Sequence, residues 1–294
     1  MKNFIGSRAI PEVNYFSPKN LNDALNHLDN SEGNLKILAG GTDIIPAIRA
    51  AKLVLSDNIN ILDIKSIENL NHITFDKKIL RVGAITTLSE IVESDIVREN
   101  FSLLSDAINQ IGSLQIRNWA TIGGNLCNAS PAADAAVPLL ALDASLRLQS
   151  KEEDRVVPVS EFFIGPGKTT LKSNELLTEI LIPIQKGISV FIKLGRRNTF
   201  TLSVISVAVF VQINENIISY IRIALGAVAP IPLRAKNTER ILIGKELTKE
   251  NIEEAVRTIK EEVSPISDVR ASSEYRKDMS SVLVRKALTE ILKN

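Results

Sequence analysis

Trp119-Ala120-Thr121-Ile122-Gly123-Gly124-Asn125 sets an apolar run against a glycine pair and an amide. The outline occurs earlier in the chain as Ile37-Leu38-Ala39-Gly40-Gly41-Thr42-Asp43. In both places the apolar run reads as a strand and the glycines are followed by small polar residues. Glycine has no Cβ to hold a ligand off the backbone, and it reaches the φ > 0 angles that aim successive N–H groups into one concavity. Such a concavity binds anionic oxygen. One glycine pair alone reads most simply as a tight strand-to-helix turn. Two of them, each with polar followers, predict two cradles that grip the two phosphates of a dinucleotide from opposite sides.

Downstream of the second pair, Ser130-Pro131 predicts a helix start, with serine as cap and proline as first residue. The helix expected over 132–142 is apolar except for Asp134, so it should be buried. A buried acid needs a partner. Asp134 is either a capping group near the helix start or an acceptor for ligand hydroxyls.

Upstream, Asn20 is an N-cap candidate for a helix carrying Leu21, Leu25 and Leu28. Residues 35–39 and 61–64 read as short strands, and 72–75 and 79–82 as a hairpin across Asp76-Lys77. Thr87 begins a helical region, and 95–111 repeats apolar residues on one face. Strands over 145–149 and 156–159 flank the charged turn 151–154. From about Gln185 the composition changes. Residues 189–194, 205–213 and 217–226 are β-rich, Pro230 and Pro232 close that phase, and helices follow at 248–263 and 272–292. Strands followed by helices predict a separate α+β domain.

The chain has 294 residues, 45% hydrophobic and 23% charged, with a formal net charge of +1. That balance argues against nucleic acid or an anionic membrane bound by bulk charge. A single cysteine, Cys127, excludes a disulfide framework and any iron–sulfur cluster held by this chain alone. His27 and His72 lie far apart and lack visible partners, which makes a zinc site of the usual type improbable. Residues 1–11 lack the layout of a secretory signal, and the longest apolar stretch, 205–213, is too short to span a bilayer. The expected location is the cytoplasm. Neither G-x-G-x-x-G nor G-x-x-x-x-G-K-[ST] occurs, so a Rossmann or Walker-type site is unsupported.

Ile37-Leu38-Ala39-Gly40-Gly41-Thr42-Asp43, together with the run from Ala120 through Asn128-Ala129-Ser130-Pro131-Ala132-Ala133-Asp134, resembles the two FAD signatures of the molybdenum hydroxylase flavoprotein subunits. The likeness extends over nearly the whole chain and includes Phe191-Ile192-Lys193-Leu194-Gly195-Arg196-Arg197. Two stretches, Phe162-Phe163-Ile164-Gly165-Pro166-Gly167-Lys168-Thr169 and Arg270-Ala271-Ser272-Ser273-Glu274-Tyr275-Arg276, are most similar to the bacterial xanthine dehydrogenase branch.

The resemblance implies an α+β chain: a two-subdomain FAD-binding fold of the vanillyl-alcohol-oxidase type over 1–184 (subdomains about 1–57 and 58–184), then a C-terminal flavoprotein domain over 185–294. It implies that Ile37, Leu38, Ala39, Gly40, Gly41, Thr42, Asp43 and Ile44, with Thr121, Ile122, Gly123, Gly124 and Asn125, hold the FAD pyrophosphate and ribityl chain. Asp134 would bond ribityl or nearby polar atoms, and Ile111, Leu177 and Lys193 would lie near the flavin ring. The molybdenum cofactor would sit on a large partner subunit and the 2Fe-2S clusters on a small one, with NAD or another acceptor taking the electrons. The extra four-iron cluster of some relatives should be lacking. A subunit that hands electrons on needs a docking face, so an exposed apolar patch of roughly a few hundred Å² or more is expected near the flavin. A free-standing FAD-dependent oxidase with its own substrate pocket and a non-enzymatic nucleotide-binding scaffold are the competing readings.

Overall fold

The computed structural model describes residues 13–31, 35–50, 59–197 and 200–293. The segment 1–11, considered above for a leader, lies outside them. The first unit is a three-stranded parallel sheet of β1 (Val13–Phe16), β2 (Leu35–Leu38) and β3 (Ile59–Asp63), in the order β1-β3-β2. Helix Leu21–Asn30 is capped by Asn20, whose side chain accepts from the Asp23 N–H, and it buries Ala24, Leu25 and Leu28.

The second sheet is antiparallel. It contains β4 (Ile73–Phe75), β5 (Ile79–Gly83), β6 (Ser145–Gln149) and β7 (Asp154–Pro158); the short hairpin of β8 (Phe163–Gly165) and β9 (Lys168–Thr169) follows outside it, and β10 (Leu176–Pro183) completes it. Its order is β4-β5-β10-β6-β7, so the last strand enters the middle and closes the sheet. The hairpin at Asp76-Lys77 forms as expected, with Lys77 at positive φ. Thr87 and Glu90 make a reciprocal capping box on helix Leu88–Glu93. The single helical face expected over 95–111 is instead two helices, Asp95–Asn100 and Ser102–Asn109, broken at Phe101. Phe101 sits at φ −138°, ψ 45°, outside the helical region, with its ring buried edge-on against Phe75.

The third sheet follows with β11 (Ile188–Gly195), β12 (Ser203–Asn214), β13 (Ile217–Gly226) and β14 (Leu233–Arg234), antiparallel in that order. Strand β14 lies after the two prolines that were expected to end the strand phase. A helix that the sequence reading missed, Lys236–Leu242, comes before Lys249–Glu262 and Ser273–Leu292. Side chains on a strand alternate between faces, and here both faces are covered. Ile205, Val207, Val209 and Val211 join the core beneath the two long helices. Ala208, Phe210 and Ala224 join a different core that includes Leu80, Leu146 and the helix Ala136–Ala141. Burial on both faces is why β12 reads as an unbroken apolar run.

Helix Ala136–Ala141, buried at every position, lies between the second and third sheets. It starts later than Ser130-Pro131 predicts. Ser130 caps only a turn: its Oγ accepts from the Ala132 N–H at 3.3 Å and its carbonyl from the Ala133 N–H at 3.0 Å. The chain is therefore still in a turn at Asp134, which frees that carboxylate from any capping role.

Candidate functional site

The two glycine loops meet. An added Cβ at Gly40 would lie 1.9 Å from the Trp119 carbonyl oxygen, and one at Gly124 would lie 4.0 Å from the Ala39 Cβ. Gly40 is thus required by close approach of the two loops. Gly41 has φ +75°, a left-handed angle that only glycine adopts at little cost.

The loops differ in what they offer. After β2 the chain turns through Gly40, Gly41, Thr42 and Asp43 into helix Ile44–Arg49, whose start has no side-chain cap. The main-chain N–H groups of Gly40, Gly41, Thr42 and Asp43 have no hydrogen-bond acceptor among the described residues. A consecutive run of free N–H groups around a left-handed glycine is an anion cradle. Asp43 stands at its rim, and desolvation raises its carboxyl above the ordinary range.

The second loop corrects the expectation of a matching cradle. Trp119 to Ile122 is not a strand; Thr121 makes one bridge to Thr87 and caps helix Ile122–Cys127. Its N–H groups are already committed. Ile122 donates to the Thr86 carbonyl at 3.1 Å, Gly123 to Ala84 at 2.9 Å, Gly124 to Thr121 Oγ1 at 3.1 Å and Asn125 to the Thr121 carbonyl at 3.0 Å. Gly123 is glycine for packing, since its Cβ would sit 2.6 Å from the Ala84 carbonyl oxygen. This loop offers the Asn125 side chain instead, whose Oδ1 is buried with no partner. A buried unpaired amide oxygen costs free energy until something bonds it.

Asp134, in the turn before helix Ala136–Ala141, and Lys193, on β11 of the third sheet, come together. Lys193 Nζ is 2.8 Å from Asp134 Oδ2, and the two side chains are 6% and 5% exposed. Lys193 also donates to the Gln110 carbonyl at 2.7 Å, and Ser203 Oγ donates to Asp134 Oδ1 at 2.6 Å. Ser203 and Gln110 were not anticipated. The signal that could have found a cation for Asp134 is an acid in an apolar stretch together with a lysine in a strand of apolar residues. Ile111 adjoins Gln110 and packs on the main core, and its carbonyl accepts from Arg117 Nη1 at 3.1 Å. The segment 110–120 therefore links the Lys193 pair to the glycine loops. Leu177 is buried in the same core, next to the β10 bulge where Thr178 accepts from the Ala84 N–H. Ile37, Leu38 and Ile44 pack in the cores of the first unit, behind the cradle.

Leu114, Ile116 and Trp119 are exposed on the segment that abuts Gly40. His72 has a partner after all, Glu179 Oε1 at 3.1 Å from its Nε2. No helix among the described residues is long and apolar enough to cross a membrane, and no cluster of three metal-ligating side chains occurs among them.

A family model described as the FAD binding domain in molybdopterin dehydrogenase matches residues 11–185, and one for the CO dehydrogenase flavoprotein C-terminal domain matches 190–291. The glyceraldehyde dehydrogenase medium chain of Sulfolobus acidocaldarius is 35% identical over 281 residues, 96% of this chain and 99% of its own. The xanthine dehydrogenase FAD-binding subunit of Escherichia coli O157:H7 is 32% identical over 284 residues, 95% of each chain. A chain of the carbon monoxide dehydrogenase of Hydrogenophaga pseudoflava, solved in a form lacking the Mo-pyranopterin moiety, superposes with a TM-score of 0.92 at 30% identity, over 97% of this chain and 99% of that one.

Proposed function

This chain belongs to the family that carries the FAD-binding domain of molybdopterin dehydrogenases, and we propose that it is the electron-transferring FAD subunit of a three-component molybdenum hydroxylase. The observation that carries the reading is the N–H run at Gly40, Gly41, Thr42 and Asp43, which has no acceptor among the described residues and is closed on one side by the second glycine loop. Those donors would take diphosphate oxygens, and Asn125 Oδ1 would take a ligand hydroxyl. The residues present fit FAD.

Bound FAD supplies the electron exchange. The chain supplies binding, orientation and field. Ile37, Leu38, Ala39 and Ile44 hold the cradle from behind, and Thr121, Ile122, Gly123 and Gly124 hold Asn125 in place opposite it. Asp134 takes ribityl or nearby polar atoms. Ile111 and Leu177 shape the apolar side near the ring. Lys193 places positive charge near the ring and so favours the reduced, more negative cofactor. No acid or base of this chain need touch the organic substrate.

In this reading the FAD-binding domain occupies 1–184, with subdomains about 1–57 and 58–184, and the C-terminal domain 185–294. In such a complex the electrons would reach this chain from a large partner's molybdenum cofactor by way of a small partner's 2Fe-2S clusters. NAD or another carrier accepts them, in the cytoplasm. The xanthine branch resemblance points to a purine-type substrate for the large partner.

The test is cofactor loading of the purified full chain. Wild type takes up FAD and turns yellow. Gly40→Ala, whose methyl group forces the loops apart, weakens that uptake by roughly ten-fold or more. FAD binding that is absent in wild type, or unchanged in Gly40→Ala, overturns the proposal. Bleaching of the flavin by an organic substrate with no partner present would point instead to a free-standing oxidase.

A further inference from the structure

The stretch Arg270 to Arg276 has no role in the site described above, yet its hydrogen bonds lead there. Arg276, near the start of the last helix, is 2% exposed. Its Nη2 donates to Asp268 Oδ1 at 2.8 Å. The other oxygen, Asp268 Oδ2, accepts from Arg270 Nη2 at 2.6 Å and Nε at 3.0 Å. One carboxylate thus holds two guanidinium groups, and each continues inward. Arg270 Nη1 donates to the Ser203 carbonyl at 3.4 Å, and Ser203 Oγ donates to Asp134. Arg276 Nη1 donates to the Ala227 carbonyl at 3.4 Å, and the Ala227 N–H donates to the Pro131 carbonyl at 2.7 Å. The two limbs reach opposite ends of the 131–134 turn.

Small residues bring the third sheet against that turn. A Cβ on Gly226 would lie 2.6 Å from Ser206 Oγ and 2.7 Å from Val137 Cγ2. Ser206 is the register partner of both Lys193 and Gly226. The turn has no capping bond of its own at Asp134, so its orientation depends on what grips it from the third sheet and the last helix.

We propose that Asp268, through Arg270 and Arg276, is a positioning residue for the cofactor site, fixing the 131–134 turn so that Asp134 and Lys193 present one geometry to the flavin. The proposal rests on the FAD reading given above. Neither arginine touches the cofactor; their effect passes through Ser203 and Pro131. Guanidinium groups suit this task because their several rigidly arranged N–H groups can hold the carboxylate on one side and a main-chain carbonyl on the other.

The experiment uses the full chain loaded with FAD and reads the dissociation constant for FAD, the visible spectrum of bound flavin and its midpoint potential. Asp268→Asn is expected to weaken FAD binding by roughly ten-fold and to move both the spectrum and the potential. Asp268→Glu should restore part of each. Thr248→Ala, which removes the cap of helix Lys249–Glu262, serves as the comparison for plain loss of stability. Thermal melts put the two variants on one scale. Ser203→Ala, which removes one limb while sparing the arginine pair, should move the spectrum in the same direction as Asp268→Asn. The proposal is overturned if wild type binds FAD and Asp268→Asn leaves spectrum and potential unchanged. It is overturned equally if Thr248→Ala shifts them as much at the same melting loss. Wild type failing to bind FAD sinks the functional reading itself, a different outcome that removes the site Asp268 was to serve.

Discussion

Asp134 shows what a single residue discloses about its surroundings. An acid among alanines and leucines has to be paired or bonded, and that much follows from sequence alone. The identity of its partners does not, because Lys193 and Ser203 are distant in sequence and arrive on the third sheet. Lys193→Met would lower the midpoint potential of bound FAD, checked by potentiometry. It would also strand a buried carboxylate at a cost of about 3–5 kcal/mol, and Lys193→Met with Asp134→Asn together should cost less than the sum; equilibrium denaturation measures both. Cys127 is a half-buried free thiol packed on the main core. Desolvation pushes its thiol up to about 12, so at pH 8 it should alkylate more slowly in the folded chain than in the unfolded one, as mass spectrometry would report.

At the scale of elements, local signals held where local chemistry decides. Asn20, Thr87, Thr248 and Ser272 all cap the helices they announce. The signals misled where contacts from afar decide. Ser130-Pro131 looks like a helix start, but the backbone there is claimed by Ala227, so the helix waits until Ala136. The second glycine pair looks like a cradle, but the Ala84 carbonyl and Thr121 Oγ1 take its N–H groups. The loop of Asp268 carries a pH prediction. The bonds from Arg270, then the Arg270 N–H and Arg276, hold its carboxyl well below the usual range. A carboxylate depressed in the folded state stabilises it above the unfolded pKa of about 3.9 and loses that contribution as pH falls below it. Wild type should therefore lose melting temperature more steeply than Asp268→Asn from pH 5 down to pH 3, followed by circular dichroism.

For the whole molecule, the third sheet decides the cooperativity. Its two faces belong to two cores, one shared with the second sheet. Asp143, from the loop after helix Ala136–Ala141, also accepts from Tyr220, Arg222 and Arg234 of that sheet. A calorimetric scan of the flavin-free chain should show one transition. Residues 185–294 expressed alone should expose Phe191, Ala208, Phe210 and Ala224, bind hydrophobic dyes and aggregate.

The order in which the parts are made gives the Lys193 pair a further meaning. A ribosome delivers both glycine loops and Asp134 long before it delivers Lys193 and Ser203, and Arg276 comes later still. A nascent chain can shape the cradle early, but Asp134 stays without its counter-ion until the carboxy-terminal third emerges and docks. Cofactor capture should then await the finished polypeptide, and a chain terminated before Lys193 should retain less FAD than the full chain.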